Sequence, residues 1–562
     1  MHITQKIISR EMVGALFILI LLVNVFIVFI NINSVSAVPF LTLKWSRWLG
    51  SDAGTRIGAL AADINNDGKM EIVVSGGPSS GYNGKVTALD GATGNIIWQF
   101  SYEGIMFHTP FDIVDLENDG NLEIVISLAS GSVSTTRGLL VLHANNGSIK
   151  WINRAVSTDS PWEGTYNAIA DIDGDGNLEI FVSGGRGPYQ GYDYITMLSY
   201  DGKILRQHNQ SWHVCYGGLT IADPAFNGTF ILYQGDRSLA YNPATDPYKY
   251  GGWGVRALDA LTLTPLWNDS EILCSSHTPM LADVDKDGIL DVIVAHQGGG
   301  FAVYNAFTGA VLTTGGKYRK SLNLGIRSHS QPTVYDIDYD GNLEIITCRE
   351  NSRVYIWDLY DWKQDAILPV TAYEPPKVGD VTGDGRMDII AANGTGIYIF
   401  TYNSIAKTYD LVDYVTPGAN AFTLVADIDG DGLNELIVTT SGGTVRCYDT
   451  LAPTPNPPPR TNIQFYSEYH CGAAEYVPSP GPKAPQITEP SPSDGAVNVP
   501  ISLSQLSFKL TDFQRDPINY TVTTYPDIGS ANGINVRNGK ITVPISGLAY
   551  SCLLYTSDAA DE

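Results

Sequence analysis

Apolar and polar positions along this chain come in short alternating blocks. Apolar runs such as GALAAD, YNAIAD and TLVAD lead into an Asp-rich, Gly-containing stretch, and a β-branched run follows at once: EIVVS, EIFVS, DVIVA, ELIVT. A Gly-rich turn precedes a third run (KVTALD, GLLVLHA, GVRALDA, RVYIWD). A tighter turn such as DGATG or ANNG precedes a fourth, often ending in Trp (NIIWQF, SIKWIN, TPLWN). Runs of this length, rich in Val, Ile and aromatics and bounded by Gly, Asn and Asp, predict antiparallel strands joined by hairpins. There are four to a unit, with no room for helices.

The unit recurs. Aligned on its first Asp, the polar stretch reads ADINNDGKMEIVVSGG at Asp63, VDLENDGNLEIVISLASG at Asp115, ADIDGDGNLEIFVSGG at Asp171 and ADVDKDGILDVIVAHQGG at Asp283. It returns as YDIDYDGNLEIITCRE at Asp336, GDVTGDGRMDIIAANG at Asp380 and ADIDGDGLNELIVTTSGG at Asp427, with a worn copy, ADPAFNGTFILYQGD, at Asp223. Successive first Asp residues lie 52, 56, 52, 60, 53, 44 and 47 positions apart, the length of one four-stranded propeller blade. The expected fold class is all-β: an eight-bladed β-propeller over 38–450, followed by a truncated Ig-like β-sandwich over 486–562. A Pro-rich semi-rigid linker, 451–485, separates them. The sandwich has only about 70 residues, against roughly 100 for an immunoglobulin-type domain.

The last unit lacks a fourth strand of its own, because TPNPPPR after residue 450 forbids a normal central strand. The segment LTLKWSRWLG at 41–50 resembles a fourth strand without a blade, so it is expected to complete the eighth blade and close the ring. The stretch around 463–471, NIQFYSEYH, competes for that place.

Composition agrees with turn-rich β structure: 57 Gly and 31 Tyr stand against 17% charged residues. The formal charge of −25 repels phosphate backbones and argues against nucleic acid as a partner. His2, Lys6 and Arg10 precede an apolar run, Met12 to Ile30, broken only by Asn24, and Val35-Ser36-Ala37 offers a cleavage site before Val38. The run is also near bilayer-spanning length, so 1–37 reads either as a signal peptide or as a single N-terminal transmembrane anchor. In both cases the rest of the chain is expected outside the cytoplasm, secreted or at the cell surface. Six Cys are scattered without a framework; Cys215 and Cys274 either pair or remain two buried thiols. Sequons at Asn146, Asn209, Asn227, Asn268, Asn393 and Asn519 fit a glycosylated exterior.

The Asp-rich stretch follows D-x-D/N-x-D-G-x-x-D/E. Oxygens at positions 1, 3 and 5 turn inward when such a loop curls, Gly at 6 permits the bend, position 7 offers a carbonyl, and the carboxylate at 9 closes the cage. Hard oxygen ligands on a flexible loop suit Ca²⁺ better than Mg²⁺ or Zn²⁺. The expected ligands are Asp63, Asn65, Asp67 and Glu71; Asp115, Glu117, Asp119 and Glu123; and Asp171, Asp173, Asp175 and Glu179. Next come Asp283, Asp285, Asp287 and Asp291; Asp336, Asp338, Asp340 and Glu344; Asp380, Thr382, Asp384 and Asp388; and Asp427, Asp429, Asp431 and Glu435. These seven loops hold 26 of the 59 acidic residues. Asp and Gly also favour plain polar turns, but seven copies in register point to about seven Ca²⁺. The Asp223 copy, with Ala225, Asn227 and Ile231 at positions 3, 5 and 9, is expected to be empty; the Asp380 copy, with Thr382, is expected to be weaker.

These repeats resemble the FG-GAP (VCBS) repeats of integrin α-chain propellers and of exported prokaryotic surface proteins, over about 41–450. The resemblance implies structural calcium on one face and ligand binding on the other. The pieces ALDGATGNIIW and ALDALTLTPLW are also similar to quinoprotein-type propeller repeats, and the C-terminal region resembles fibronectin type III or Ig-like modules.

The loops entering each inner strand are expected opposite the cages. They carry His108, His277 and His329, with Arg56 and Tyr373 at the same offset, at the mouth of a central channel. These residues either ring a ligand site or simply cap inner strands; no carboxylate pair or nucleophile accompanies them, so no catalytic or organic-cofactor-binding residue is assigned. Trp162, Trp212 and Tyr414 offer sugar-stacking surfaces. The function expected is adhesion or binding of an extracellular glycan or protein, leaning away from an enzyme. A polysaccharide lyase or hydrolase is the alternative, and a quinone-dependent dehydrogenase the second alternative.

Overall fold

The computed structural model describes residues 40–548 apart from 52, 54–57, 78–82, 106–108, 129–137, 157–166, 185–193, 210–217, 236–254, 270–277, 297–299, 312–331, 349–351, 373–375, 417–420, 455–485, 494–495, 497–498, 512–517, 525–526 and 537–538. Every described element is a β-strand or a turn, and no described helix is long and apolar enough to cross a membrane. Strands pair antiparallel in chain order to give successive sheets over 59–103, 111–153, 168–209, 219–269, 280–305, 333–372, 377–415 and 421–453, called here the first to the eighth. Each contains four strands except the fifth, in which three are described.

The eighth sheet differs in how it is completed. Its outermost strand is Thr42–Trp48, paired with Thr444–Pro453 in the register Thr42↔Asp449 to Trp48↔Thr444. The 41–50 segment therefore fills the place expected of it; the competing stretch at 463–471 lies outside the described residues. Pro453, at the end of its strand, meets the limit prolines impose on sheets.

Inner strands are buried on both faces, which is why they read as unbroken apolar runs. Glu71–Gly76 and Glu123–Leu128 have no exposed position. The apolar faces pack sheet against sheet. Ile113 and Ile124 of the second sheet join Val73 and Val86 of the first. Leu424, Ile437 and Cys447 of the eighth sheet join Ile72, Val74 and Leu89 of the first in the same manner.

Two further contacts repeat from sheet to sheet. The Trp of an outermost strand donates its indole N–H to a carbonyl in the tight turn of the next sheet: Trp98 to Ala144 (3.0 Å), Trp151 to Tyr200 (3.1 Å) and Trp267 to Ala306 (2.8 Å). Trp45, on the eighth sheet's outer strand, does the same to Gly91 of the first sheet at 2.9 Å. Each indole lies over a glycine of positive φ, where a Cβ would fall within 3 Å of the ring: Gly147 under Trp98, Gly202 under Trp151, Gly309 under Trp267 and Gly94 under Trp45. Backbone bonds also link neighbouring Asp loops, Leu178 N–H to Leu116 O (2.9 Å) and Leu290 N–H to Pro224 O (2.9 Å), and Met70 N–H meets Ile428 O of the eighth sheet at 3.2 Å.

C-terminal to residue 485 stand two small antiparallel sheets. One contains Gln486–Ser491, Gln505–Thr511 and Gly539–Pro544, the other Ile518–Thr523 and Ser530–Val536, around a core of Ile528, Val543 and Ile545.

Candidate metal centres in the nine-residue loops

Each Asp-rich stretch joins the innermost strand of a sheet to the second, and the eight copies share one backbone. Position 6 is glycine with positive φ throughout, from Gly68 (87°) to Gly432 (88°), so no other residue fits without strain. Position 4 is left-handed in every copy as well: Asn66, Asn118, Gly174, Phe226, Lys286, Tyr339, Gly383 and Gly430. The run of Gly and Asn at this position was a readable signal of that conformation.

The curl pre-orders the carboxylates. The position-6 N–H donates to one oxygen of the position-1 Asp, as in Gly68 to Asp63 (2.8 Å), Gly288 to Asp283 (3.0 Å) and Gly341 to Asp336 (3.0 Å). The position-7 N–H donates to the position-5 side chain, as in Lys69 to Asp67 (2.9 Å) and Asn342 to Asp340 (2.8 Å). In all seven acidic loops the position-2 N–H donates to one oxygen of the position-9 carboxylate, at 2.8 to 3.1 Å. The second oxygen of each acid is thereby left to face its neighbours. In the Asp223 copy both partners of that last bond have changed: Pro224 has no N–H and Ile231 has no carboxylate.

Position 9 opens the second strand, except in the eighth sheet, where Glu435 is third in Leu433–Thr440, and it is between 0 and 5% exposed in the seven loops. Oxygens of Asp171, Asp173 and Glu179 converge within 4.8 Å, as do those of Asp283, Asp285 and Asp291, of Asp336, Asp338 and Glu344, and of Asp427, Asp429 and Glu435. Asp285 Oδ1 and Asp336 Oδ1 are buried and accept no hydrogen bond among the described residues. These clusters could hold metal ions.

Burial makes the charge on these acids costly. It pushes Glu344 up to about 9, with the charges of Asp338, Asp336 and Asp365 adding and the Ile337 N–H opposing. It pushes Glu179 and Asp291 up to about 8, and Glu71 and Asp388 up to about 7. A nearby cation would favour the ionised form of each of these groups at neutral pH.

Loops are tied to their neighbours through position 4. Asn66 donates to Gly120 O (3.2 Å), Lys286 to Asn342 Oδ1 (2.7 Å), and Tyr339 accepts from the Met387 N–H (2.6 Å). Residues outside the nine-residue pattern also reach the acids. Asp358 of the third strand in the sixth sheet gathers with Asp340 and Glu344. Lys44 and Lys150 touch the acids of the eighth and second loops. A Lys immediately before an outer-strand Trp, in LTLKW and SIKW, was the signal that could have found this pair.

Arg56, His108, His277, His329 and Tyr373, the candidate ligand face, lie outside the described residues, as do Trp162, Trp212, Cys215 and Cys274. Tyr414 is described: it is 60% exposed and stacks on Tyr398 at 6.2 Å. Cys348 and Cys447 are buried, and the Cys348 thiol donates to Ala372 O at 3.9 Å.

Residues 115–182 and 380–438 match the FG-GAP-like repeat. No curated protein matches the chain. Among solved structures, the chain is similar to the exotype rhamnogalacturonan lyase YesX, with TM-score 0.51 and 15% identity over 71% of this chain and 72% of that one. It is similar to rhamnogalacturonan lyase YesW, with TM-score 0.51 and 14% identity over 76% and 80%. It also matches the Dos1 propeller, with TM-score 0.43 and 12% identity over 73% and 96%. The chain thus carries FG-GAP-like repeats on an all-β architecture.

Proposed function

We propose that this chain is an exported, calcium-stiffened β-propeller that displays the face opposite its Asp loops to an extracellular glycan or protein. The eight sheets are read as eight blades of one ring. Trp45 on Gly94 and Met70 on Ile428 support this, because they join the eighth sheet to the first by the contacts that join consecutive sheets. Residues 486–548 are read as part of an Ig-like module after the linker, and the N-terminal apolar segment as the export signal or anchor.

The observation that carries the metal reading is the desolvated acid at position 9. All seven position-9 carboxylates are buried, four of them (Glu179, Asp291, Glu344 and Glu435) gather with other acids of their loop, and an all-oxygen donor set on a hairpin loop suits Ca²⁺. Calcium there would neutralise the acids and lock one rim, with no part in chemistry. Metal content and calorimetric titration of the purified chain test this; no bound metal and no calcium-dependent melting would overturn it.

A rim held rigid at one end suits a binding platform at the other, and exposed Tyr414 on Tyr398 offers a flat aromatic surface near the end of an outer strand. A glycan array read in parallel with turnover of acidic polysaccharides separates binding from cleavage. Retention of a glycan without product supports the binder; accumulation of unsaturated oligosaccharides would replace it with a lyase.

A further inference from the structure

The seven acidic loops look alike along the chain, but the outer strands passing them do not carry the same charge. In each sheet whose outer strand is described in full, pairing between the third and fourth strands shifts by one residue at the same place. At that place one outer-strand residue is left unpaired: Ile97, Lys150, Leu205, Leu266, Asp365, Val412 and, in the eighth sheet, Lys44; the sixth sheet has a second irregularity further along, between Arg353 and Tyr355. Such a bulge re-aims a side chain that strict alternation would send elsewhere.

At two of these positions the residue is lysine, and both lysines land on the same pair of ligand positions. Lys44 Nζ lies 2.5 Å from Asp429 Oδ2 and 3.2 Å from Glu435 Oε1, positions 3 and 9 of its loop, and 2.8 Å from Asp449. Lys150 Nζ contacts Glu117 Oε2 and lies 2.8 Å from Glu123 Oε1, again positions 3 and 9. The acids at position 9 are 2% and 1% exposed, the lysines 19% and 15%. Where the bulge residue is Ile97 or Leu205, the side chain stays roughly half exposed.

We infer that Lys44 and Lys150 are tethered cations that fill the eighth and second loops in place of a divalent ion. This rests on the calcium reading of the other loops. An ammonium bonded to positions 3 and 9 stands where a shared metal ion must bridge them, and a second cation there meets like-charge repulsion at close range. Being covalently attached, the ammonium also competes at high effective concentration. A lysine ammonium carries its charge at neutral pH at its ordinary value. Seven acidic loops less these two leave five for calcium: those opening at Asp63, Asp171, Asp283, Asp336 and Asp380.

Calorimetric titration of the full chain with calcium tests this. The expected stoichiometry is about five, rising by one in Lys150→Met and by one in Lys44→Met. A value of seven in the unaltered chain, or folded variants with unchanged stoichiometry, would overturn the inference. No binding at all would instead remove the calcium reading on which it rests. Hydrogen exchange of the unaltered chain with and without chelator keeps the test independent of variant folding. Amides of 115–123 and 427–435 should keep their protection while those of 283–291 and 336–344 lose at least tenfold; equal loss in all four would reject the tethered cations.

Discussion

The second and sixth sheets share the loop pattern, the bonds from positions 2, 6 and 7 and the outer-strand bulge, yet carry opposite charges at that bulge. In the second, Lys150 reaches Glu117 and Glu123. In the sixth, Asp365 adds a further carboxylate near Glu344 and Asp338, and Asp358 adds another beside Asp340. Burial raises the position-9 acid in both sheets; Lys150 counteracts it in one, and the surrounding carboxylates add to it in the other. The charge of a cage is thus decided outside the nine residues that define it. Loops of one sequence pattern can be self-neutralised or dependent on an added ion.

The comparison is most directly broken by removing the ion. With calcium at a hundredfold over Kd, each filled site contributes about 2.7 kcal/mol, so chelation should lower the melting temperature by many degrees. A calorimetric scan that hardly moves would mean the sixth loop is as self-sufficient as the second. Exchanging the bulge charge comes next. Asp365→Lys should make the sixth loop resemble the second, lowering calcium stoichiometry by one and shrinking the chelator effect by about 2.7 kcal/mol at the same saturation.

Removing the closing acid should give opposite signs in the two sheets. Glu344→Gln should raise the melting temperature in chelator at pH 8, where folding must protonate an acid that is ionised in the unfolded chain, and lower it in calcium. Glu123→Gln should lower it in both by about 1–3 kcal/mol, because Lys150 loses a partner. Melts of both variants in both buffers decide this.

The pH dependence follows the same logic. Glu344 at about 9, and Glu179 and Asp291 at about 8, lie above their unfolded values, so the folded chain binds more protons than the unfolded one between roughly pH 4 and 9. Metal-free protein should therefore gain stability as pH falls from 9 toward 5, and calcium should flatten that slope. A chelated protein most stable at pH 9 would contradict the charged-cage picture. The smallest expected effect is at the ties between loops: Lys286→Met, which breaks the bond to Asn342, should cost about 0.5 kcal/mol in chemical denaturation.

Much of this was legible along the chain, for identifiable reasons. The Asp loops stood out because position 6 must be glycine and the acids recur at fixed offsets from it. The 41–50 strand stood out because Trp45 repeats the place of Trp98, Trp151 and Trp267. The charge of each cage was hidden, because one extra residue at the bulge shifts alternation and sends Lys150 to a loop some thirty residues earlier, a contact no local pattern announces. The left-handed position 4 was half hidden, since Lys286, Tyr339 and Phe226 adopt it although their residue type does not favour it. The place of the 41–50 strand in the eighth sheet followed from counting strands; the ligand face, with His108, His277 and His329, rests on the sequence alone.

The seam at Thr42–Trp48 also sets a schedule. Seven sheets draw their strands from one stretch of about fifty residues each and can mature as those residues are made. The eighth needs strands from both ends of the 41–453 span, so its outer strand waits as an open edge until Pro453 has been synthesised. Until then Leu43 and Trp48 are unpaired, and Gly94 has no indole above it. A chain lacking Thr444–Pro453 would leave the Thr42–Trp48 strand without its partner, so the eighth sheet is completed only once the whole 41–453 span has been made.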